Sequence, residues 1–152
     1  MTAKRAALIS SIVAYAPNEL YWALTNHNEW SISFTAQLSW SSANYQAGLA
    51  AVLDGVHAGL PSCKIYLQST VPDLVYETCA GTNLVPTKLN AYGEDIEQYR
   101  AAITAVATAR SWITFVDGTQ IYPCGPTSEI NLTPTQKISQ TAAFYAAVLG
   151  LP

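Results

Sequence analysis

An α/β fold, with a parallel sheet and helices on both of its faces, follows from three observations. Short apolar runs of strand length alternate along the chain with longer segments of helical period, the pattern of parallel strands joined by crossover helices. Breakers punctuate the alternation, Pro17-Asn18 before the first strand and Gly59-Leu60-Pro61 before the second. Half of the 152 residues are apolar, enough for one domain with a sizeable core. No repeat, linker or low-complexity segment divides residues 1–152.

The first element is a helix over Thr2–Tyr15, with Ala7, Leu8, Ile12 and Val13 repeating at helical spacing. Lys4-Arg5 followed by Ala6 to Ala16 imitates a signal peptide with its cleavage site, but the helical spacing favours an amphipathic helix, and no cleaved leader is expected. The strand Glu19–Thr25 comes next. Leu20, Trp22 and Leu24 alternate with Tyr21 and Ala23, the mark of a strand buried on both faces. A polar, aromatic loop holding Trp30, Phe34 and Trp40 leads to a helix over 43–59. Lys64–Thr70 is the second strand, followed by a long loop bearing Pro and Gly through Cys79 to Asn90. A helix over 93–110 presents Ile96, Ala102, Ile103 and Val106 on one face. Trp112–Val116 is the third strand, and a last helix spans Thr135–Leu149.

Composition excludes several classes. Seven Lys and Arg, scattered, against ten Asp and Glu leave no basic stripe for nucleic acid. No apolar run is long enough to span a bilayer. Two His and three scattered Cys give no metal-ligand spacing, and neither a phosphate-binding Gly loop nor a Gly-x-Ser-x-Gly elbow is present, so no cofactor or metal is expected. Asp54-Gly55-Val56-His57 imitates an acid–base pair but falls on a helix surface remote from the strand ends. Chemistry in an open α/β sheet sits beyond the carboxyl ends of its strands. Asn26, His27, Asn28, Glu29 and Trp30, fused to the end of the first strand, are therefore the leading site candidates. His27 there is either a structural hydrogen-bonding residue or a functional imidazole.

The order of elements resembles the later part of the SGNH (GDSL-type) hydrolases, flavodoxin-like esterases and acyl hydrolases that often act on carbohydrate esters. Tyr21-Trp22-Ala23-Leu24 with Asn26-His27-Asn28-Glu29 is similar to the family's Gly-x-Asn-Asp block. Leu60 to Tyr66 resembles its turn into the fourth strand, and Ala107 to Gly118 its fifth strand. Ser128-Glu129-Ile130-Asn131-Leu132-Thr133-Pro134 resembles the closing Asp-Gly-Ile-His-Leu-Thr-Pro block. The resemblance implies a truncated domain over 1–152 with the N-terminal strands missing, the family's nucleophile and second blocks lying before the matched region. It places Asn28 at the oxyanion position and puts Ser128 and Asn131 where the catalytic acid and base belong. An amide neither accepts nor returns a proton near neutral pH, so Asn131 is no base. A serine without a base stays unactivated.

Two function classes remain open. One is a non-catalytic module for assembly or for glycan or surface binding, such as a component of a virus particle or surface appendage. Trp30, Phe34, Trp40, Tyr76, Tyr92 and Tyr122 would then stack on sugars or pack on a partner, unless they simply fill the loop layer. The other is a split esterase whose nucleophile comes from another polypeptide. In either, the strand Glu19–Thr25 lies at a sheet edge without Lys, Pro or inward charge inside Leu20–Leu24, and that edge calls for cover. A second copy or a different polypeptide meets that need, with the helix Thr2–Tyr15 as the lesser alternative. Cys79 and Cys124 lie in loops at the same end of the sheet, within reach of a disulfide, while Cys63 at the opposite end should be free. A disulfide points to an extracellular or particle-surface setting.

Overall fold

The protein is described by a computed structural model over residues 2–23, 41–72, 77–121, 124, 142 and 146. In chain order its elements are α1 (Thr2–Tyr15), β1 (Glu19–Ala23), α2 (Ser42–Gly59), β2 (Lys64–Gln68), β3 (Glu77–Ala80), β4 (Asn83–Pro86), α3 (Ile96–Thr108) and β5 (Ile113–Val116). A 3₁₀ turn over Gly118–Gln120 follows. The class is α/β. Strands β1, β2 and β5 form a parallel sheet in that order, and β3 pairs with β4 in a separate antiparallel hairpin.

Register runs from Glu19 opposite Lys64 to Ala23 opposite Gln68, and from Ile65 opposite Ile113 to Gln68 opposite Val116. Side chains alternate across a sheet, so Leu20, Trp22, Ile65, Leu67 and Ile113 share one face. That face packs against Leu49, Leu53 and Val56 of α2 and Ile103, Val106 and Ala107 of α3 in one core. Two steps in the same direction through right-handed crossovers put α2 and α3 on the same side. On the other face the Tyr21 and Tyr66 rings stack at 6.0 Å, and Tyr21 donates to Gln68 Oε1 (3.0 Å). The expected last helix, which would supply that second layer, lies outside the described residues except for Ala142 and Ala146, both helical.

Helix starts follow local chemistry. Asp95 caps α3 with a full capping box, accepting from Glu97 and Gln98 N–H while Gln98 Oε1 accepts from Asp95 N–H (2.7 Å). This cap begins α3 at Ile96 rather than Gly93. Ser41 caps α2, accepting from Asn44 N–H (3.3 Å). The Glu94 carboxylate adds bonds from Ser42 N–H and Oγ, both 2.8 Å, a negative charge at a helix N-terminus. Helix α1 lies on α2 where glycines leave room: a Cβ at Gly55 would come 2.6 Å from Ile9 Cδ1, and one at Gly59 2.6 Å from Val13 Cγ2.

Three expectations are corrected. The stretch read as a loop from Cys79 contains the β3–β4 hairpin. Its two-residue turn opens with Gly81 at φ +65°, the pattern of a II′ hairpin turn. Leu8 is turned outward, 43 % exposed, because Ile9 and Val13 take the seats over Gly55 and Gly59. Strand β1 is half-buried through Leu20–Trp22 with both end residues exposed, not buried on both faces, since β2 is its sole strand neighbour among the described residues. The ladder of β2 stops at Gln68, although Ser69 N–H still reaches Val116 O (2.9 Å).

Candidate functional site

The carboxyl edge of the sheet gathers the exits of β2 and β5. Past Gln68, Ser69 and Thr70 are both buried. Past Val116, the chain turns at Asp117 into the 3₁₀ segment. Ser69 Oγ accepts from Gly118 N–H (2.9 Å) and donates to Asp117 Oδ1 (3.4 Å). The same carboxylate oxygen accepts from Thr119 N–H (3.0 Å) and Thr119 Oγ1 (2.8 Å). The two exits touch so closely that a Cβ on Gly118 would stand 2.1 Å from Ser69 O. Glycine is required there by space.

A charged cluster closes the same edge. Arg100 projects from the buried stripe of α3, 4 % exposed, towards Glu77 at the start of β3, 1 % exposed. Both Nη groups donate to the Glu77 carboxylate, Nη2 to Oε2 at 2.8 Å. Nε donates to Thr70 O (3.1 Å), Nη2 also to Val71 O (3.3 Å), and Nη1 to Glu97. All five guanidinium N–H groups are thereby engaged. Burial works against the Arg100 charge, but the Glu77 hydrogen bonds and charge, with Glu97 behind them, more than offset it and hold its pKa above the ordinary range. Arg100 ties α3, the exit of β2 and the hairpin together. The Thr70 hydroxyl is buried with no partner among the described residues.

A second polar chain runs beside it. Asn90 Nδ2 donates to Tyr99 Oη (2.9 Å), and Asn90 Oδ1 accepts from Tyr92 and Glu94 N–H (2.9 and 3.0 Å). Glu94 in turn caps α2, so the 90–94 turn bridges α3 and the start of α2. Cys79 of β3 and Cys124 form a disulfide with their Cα atoms 5.6 Å apart. It joins the hairpin to the segment beyond β5.

The sequence candidates Asn26, His27, Asn28, Glu29, Trp30, Tyr122, Ser128 and Asn131 lie outside the described residues, as do Phe34, Trp40 and Tyr76. Tyr92 is described and half exposed. The Asp54–His57 pair sits at the opposite end, and its members have separate partners. Arg110 grips Asp54 through Nε and Nη2 (2.6 and 2.7 Å). That hydrogen bonding, more than the opposing burial, lowers the carboxyl pKa. The His57 ring lies flat on Trp112, centroids 4.0 Å apart and planes within 7°. Cys63 is free and buried near the start of β2; burial pushes its thiol pKa up, and the Glu19 charge adds to the effect.

Sequence reasoning missed Arg100, Glu77, Ser69 and Asp117. One signal was present: Arg100 falls at i+4 from Ile96 and i−3 from Ile103, inside the apolar stripe of its helix. A charge at such a position demands a buried partner. Among the described residues no group of His, Cys, Asp and Glu could hold a metal, and no helix is long and apolar enough to cross a membrane. No family model, no curated protein and no solved structure matches the chain.

Proposed function

We propose that the chain is an SGNH-hydrolase-like, flavodoxin-like module without catalysis of its own, serving in assembly or in glycan and surface binding. A second copy or another polypeptide would cover the flank of β1. The observation that carries this reading is the place of β1. It ends the described sheet, its side chains are half-buried, and no Lys, Pro or inward charge guards Leu20–Trp22. Natural sheets rarely leave such an edge uncovered, because it templates association. The carboxyl edge lends further support. Ser69 and Asp117 bond to each other and to the backbone, and His57, the one described histidine, lies at the far end of α2. The described residues thus place no imidazole base beside Ser69, the arrangement that activates a serine in a Ser-His-Asp triad. The disulfide fits a role outside a reducing cytosol, on a particle or cell surface.

Native mass spectrometry at micromolar concentration tests the proposal, together with hydrolysis of p-nitrophenyl acetate. Dimers or larger species without ester turnover are the expected result. A monodisperse monomer whose Leu20–Ala23 amides exchange slowly would show that the chain covers its own edge and would refute the assembly role. Turnover appearing on addition of a chain that carries a Gly-Asp-Ser block would assign the split esterase instead.

A further inference from the structure

We propose that the β3–β4 hairpin is a strap across the carboxyl edge, hinged on α3 and latched by the Cys79–Cys124 disulfide, and that a small dithiol opens it without unfolding the three-stranded core. The strap is fixed at two places. Its first stem is held at Glu77 by Arg100, and the chain leaving its second stem is held at Asn90 by Tyr99. Both anchors belong to α3. Between them, the strands pair with each other and with no other described strand. A lone two-stranded hairpin is marginal in water.

Among the described residues the apolar support under the strap is small. Cys79 and Cys124 form a cluster of their own, separate from the main core, with Leu84 packed against it. The opposite side of the hairpin, Thr78, Ala80, Asn83 and Val85, is exposed. Among the described residues the disulfide therefore supplies most of what docks the hairpin on this side. It lies nearer the Gly81-Thr82 tip than the Glu77 anchor does, and it binds the strap to Cys124, which like Ile121 is buried. Breaking the latch leaves both hinges intact and frees the tip.

The chemistry is thiol–disulfide exchange. One thiolate of the dithiol attacks a sulfur of the Cys79–Cys124 bond, forming a mixed disulfide and expelling the other cysteine as its thiolate. The second thiol of the reagent then closes on the mixed disulfide. Two electrons pass to the protein, leaving two cysteine thiols and a cyclic disulfide of the reagent.

Hydrogen exchange of the full chain, with and without dithiothreitol and with reduction checked by a mass gain, tests the latch. On reduction, amides of residues 78–85 should lose protection by about tenfold or more through local opening. Amides of Leu53, Leu67 and Ile103 should keep theirs to within a few-fold. The Cys79→Ser/Cys124→Ser variant should match the reduced protein without reagent, and Cys63→Ser should behave as the unaltered chain. Four outcomes would overturn the proposal: a disulfide that resists the dithiol until the core unfolds, hairpin protection unchanged after reduction, core and hairpin losing protection together, or a double variant that does not fold.

Discussion

Arg100→Met tests whether the charged cluster holds the carboxyl edge. Methionine keeps most of the length and volume of the side chain and its helix preference, so the loss falls on the five donors. Glu77, 1 % exposed, loses the guanidinium that pairs with it, and Thr70 O and Val71 O lose their donors. Removing one member of a buried pair costs about 3–5 kcal/mol, because the other charge stays behind in a medium of low polarity. For a chain of this size that is a fall in melting temperature of roughly 6–20 °C. Arg100→Met with Glu77→Leu removes both charges and should recover all but about 1–2 kcal/mol, since a well-packed apolar pair can replace a buried ion pair. The assay is guanidinium unfolding followed by far-ultraviolet circular dichroism, with the disulfide intact and each single variant alongside the double. A cost below about 1 kcal/mol for Arg100→Met, or a double variant no better than the single, would refute the reasoning.

Gly118→Ala and Gly55→Ala should separate clearly. The new methyl at 118 meets the backbone oxygen of Ser69 at 2.1 Å, so two strand exits must part, at about 3 kcal/mol or more. The one at 55 meets the mobile end of Ile9 at 2.6 Å, and about 1 kcal/mol of helix propensity offsets much of the strain; equal costs in denaturant would contradict this. Asp54→Asn should cost no more than about 1 kcal/mol at neutral pH, because Asp54 is half exposed and solvent screens its pair with Arg110. Since the folded pKa of Asp54 is lowered, the pair's contribution is present above the ordinary carboxylate value and is lost as pH falls through the folded one. Unfolding curves of Asp54→Asn and the parent protein should therefore converge in acid, and a gap that widens there would reverse the assignment. Cys63 should resist iodoacetamide in the folded chain, burial having raised its thiol pKa. Mass measurement should find one alkylation after denaturation and three once reductant is added; rapid labelling of the native protein would contradict its burial.

The parallel sheet and its helices were legible because each repeats an apolar pattern along its own length. Period 3.6 gives α2 and α3 away, and compact apolar runs mark β2 and β5. The hairpin was not legible, for a physical reason. Glu77-Thr78-Cys79-Ala80 and Asn83-Leu84-Val85-Pro86 offer Leu84 and little else to bury. What fixes them is a covalent bond to Cys124 and an ionic bond to Arg100, distant partners that leave no local periodicity. The phase of α1 was lost in a similar way. Leu8 and Ile9 are equally apolar, and the choice between them is made on another helix, where Gly55 and Gly59 leave seats four residues apart for Ile9 and Val13.

The site is harder to read than the fold because its parts are neighbours only after the crossovers have closed. Ser69 and Asp117 meet because β2 and β5 are adjacent and end level with each other, a fact of register. Once they meet, their bonding decides what the edge can do. Oxyanion-type stabilisation and anion binding both use donors aimed at a vacant position. Arg100, buried at this edge, has given its five N–H groups to Glu77, Glu97 and two carbonyls. Asp117 accepts from Ser69 and Thr119 through one oxygen, and the Ser69 hydroxyl both accepts and donates within the scaffold. Such wiring fixes loops in place. The buried Thr70 hydroxyl has no partner among the described residues, and a neutral hydroxyl without a base is no nucleophile. The described polar groups at the exits of β2 and β5 therefore go into holding those exits together.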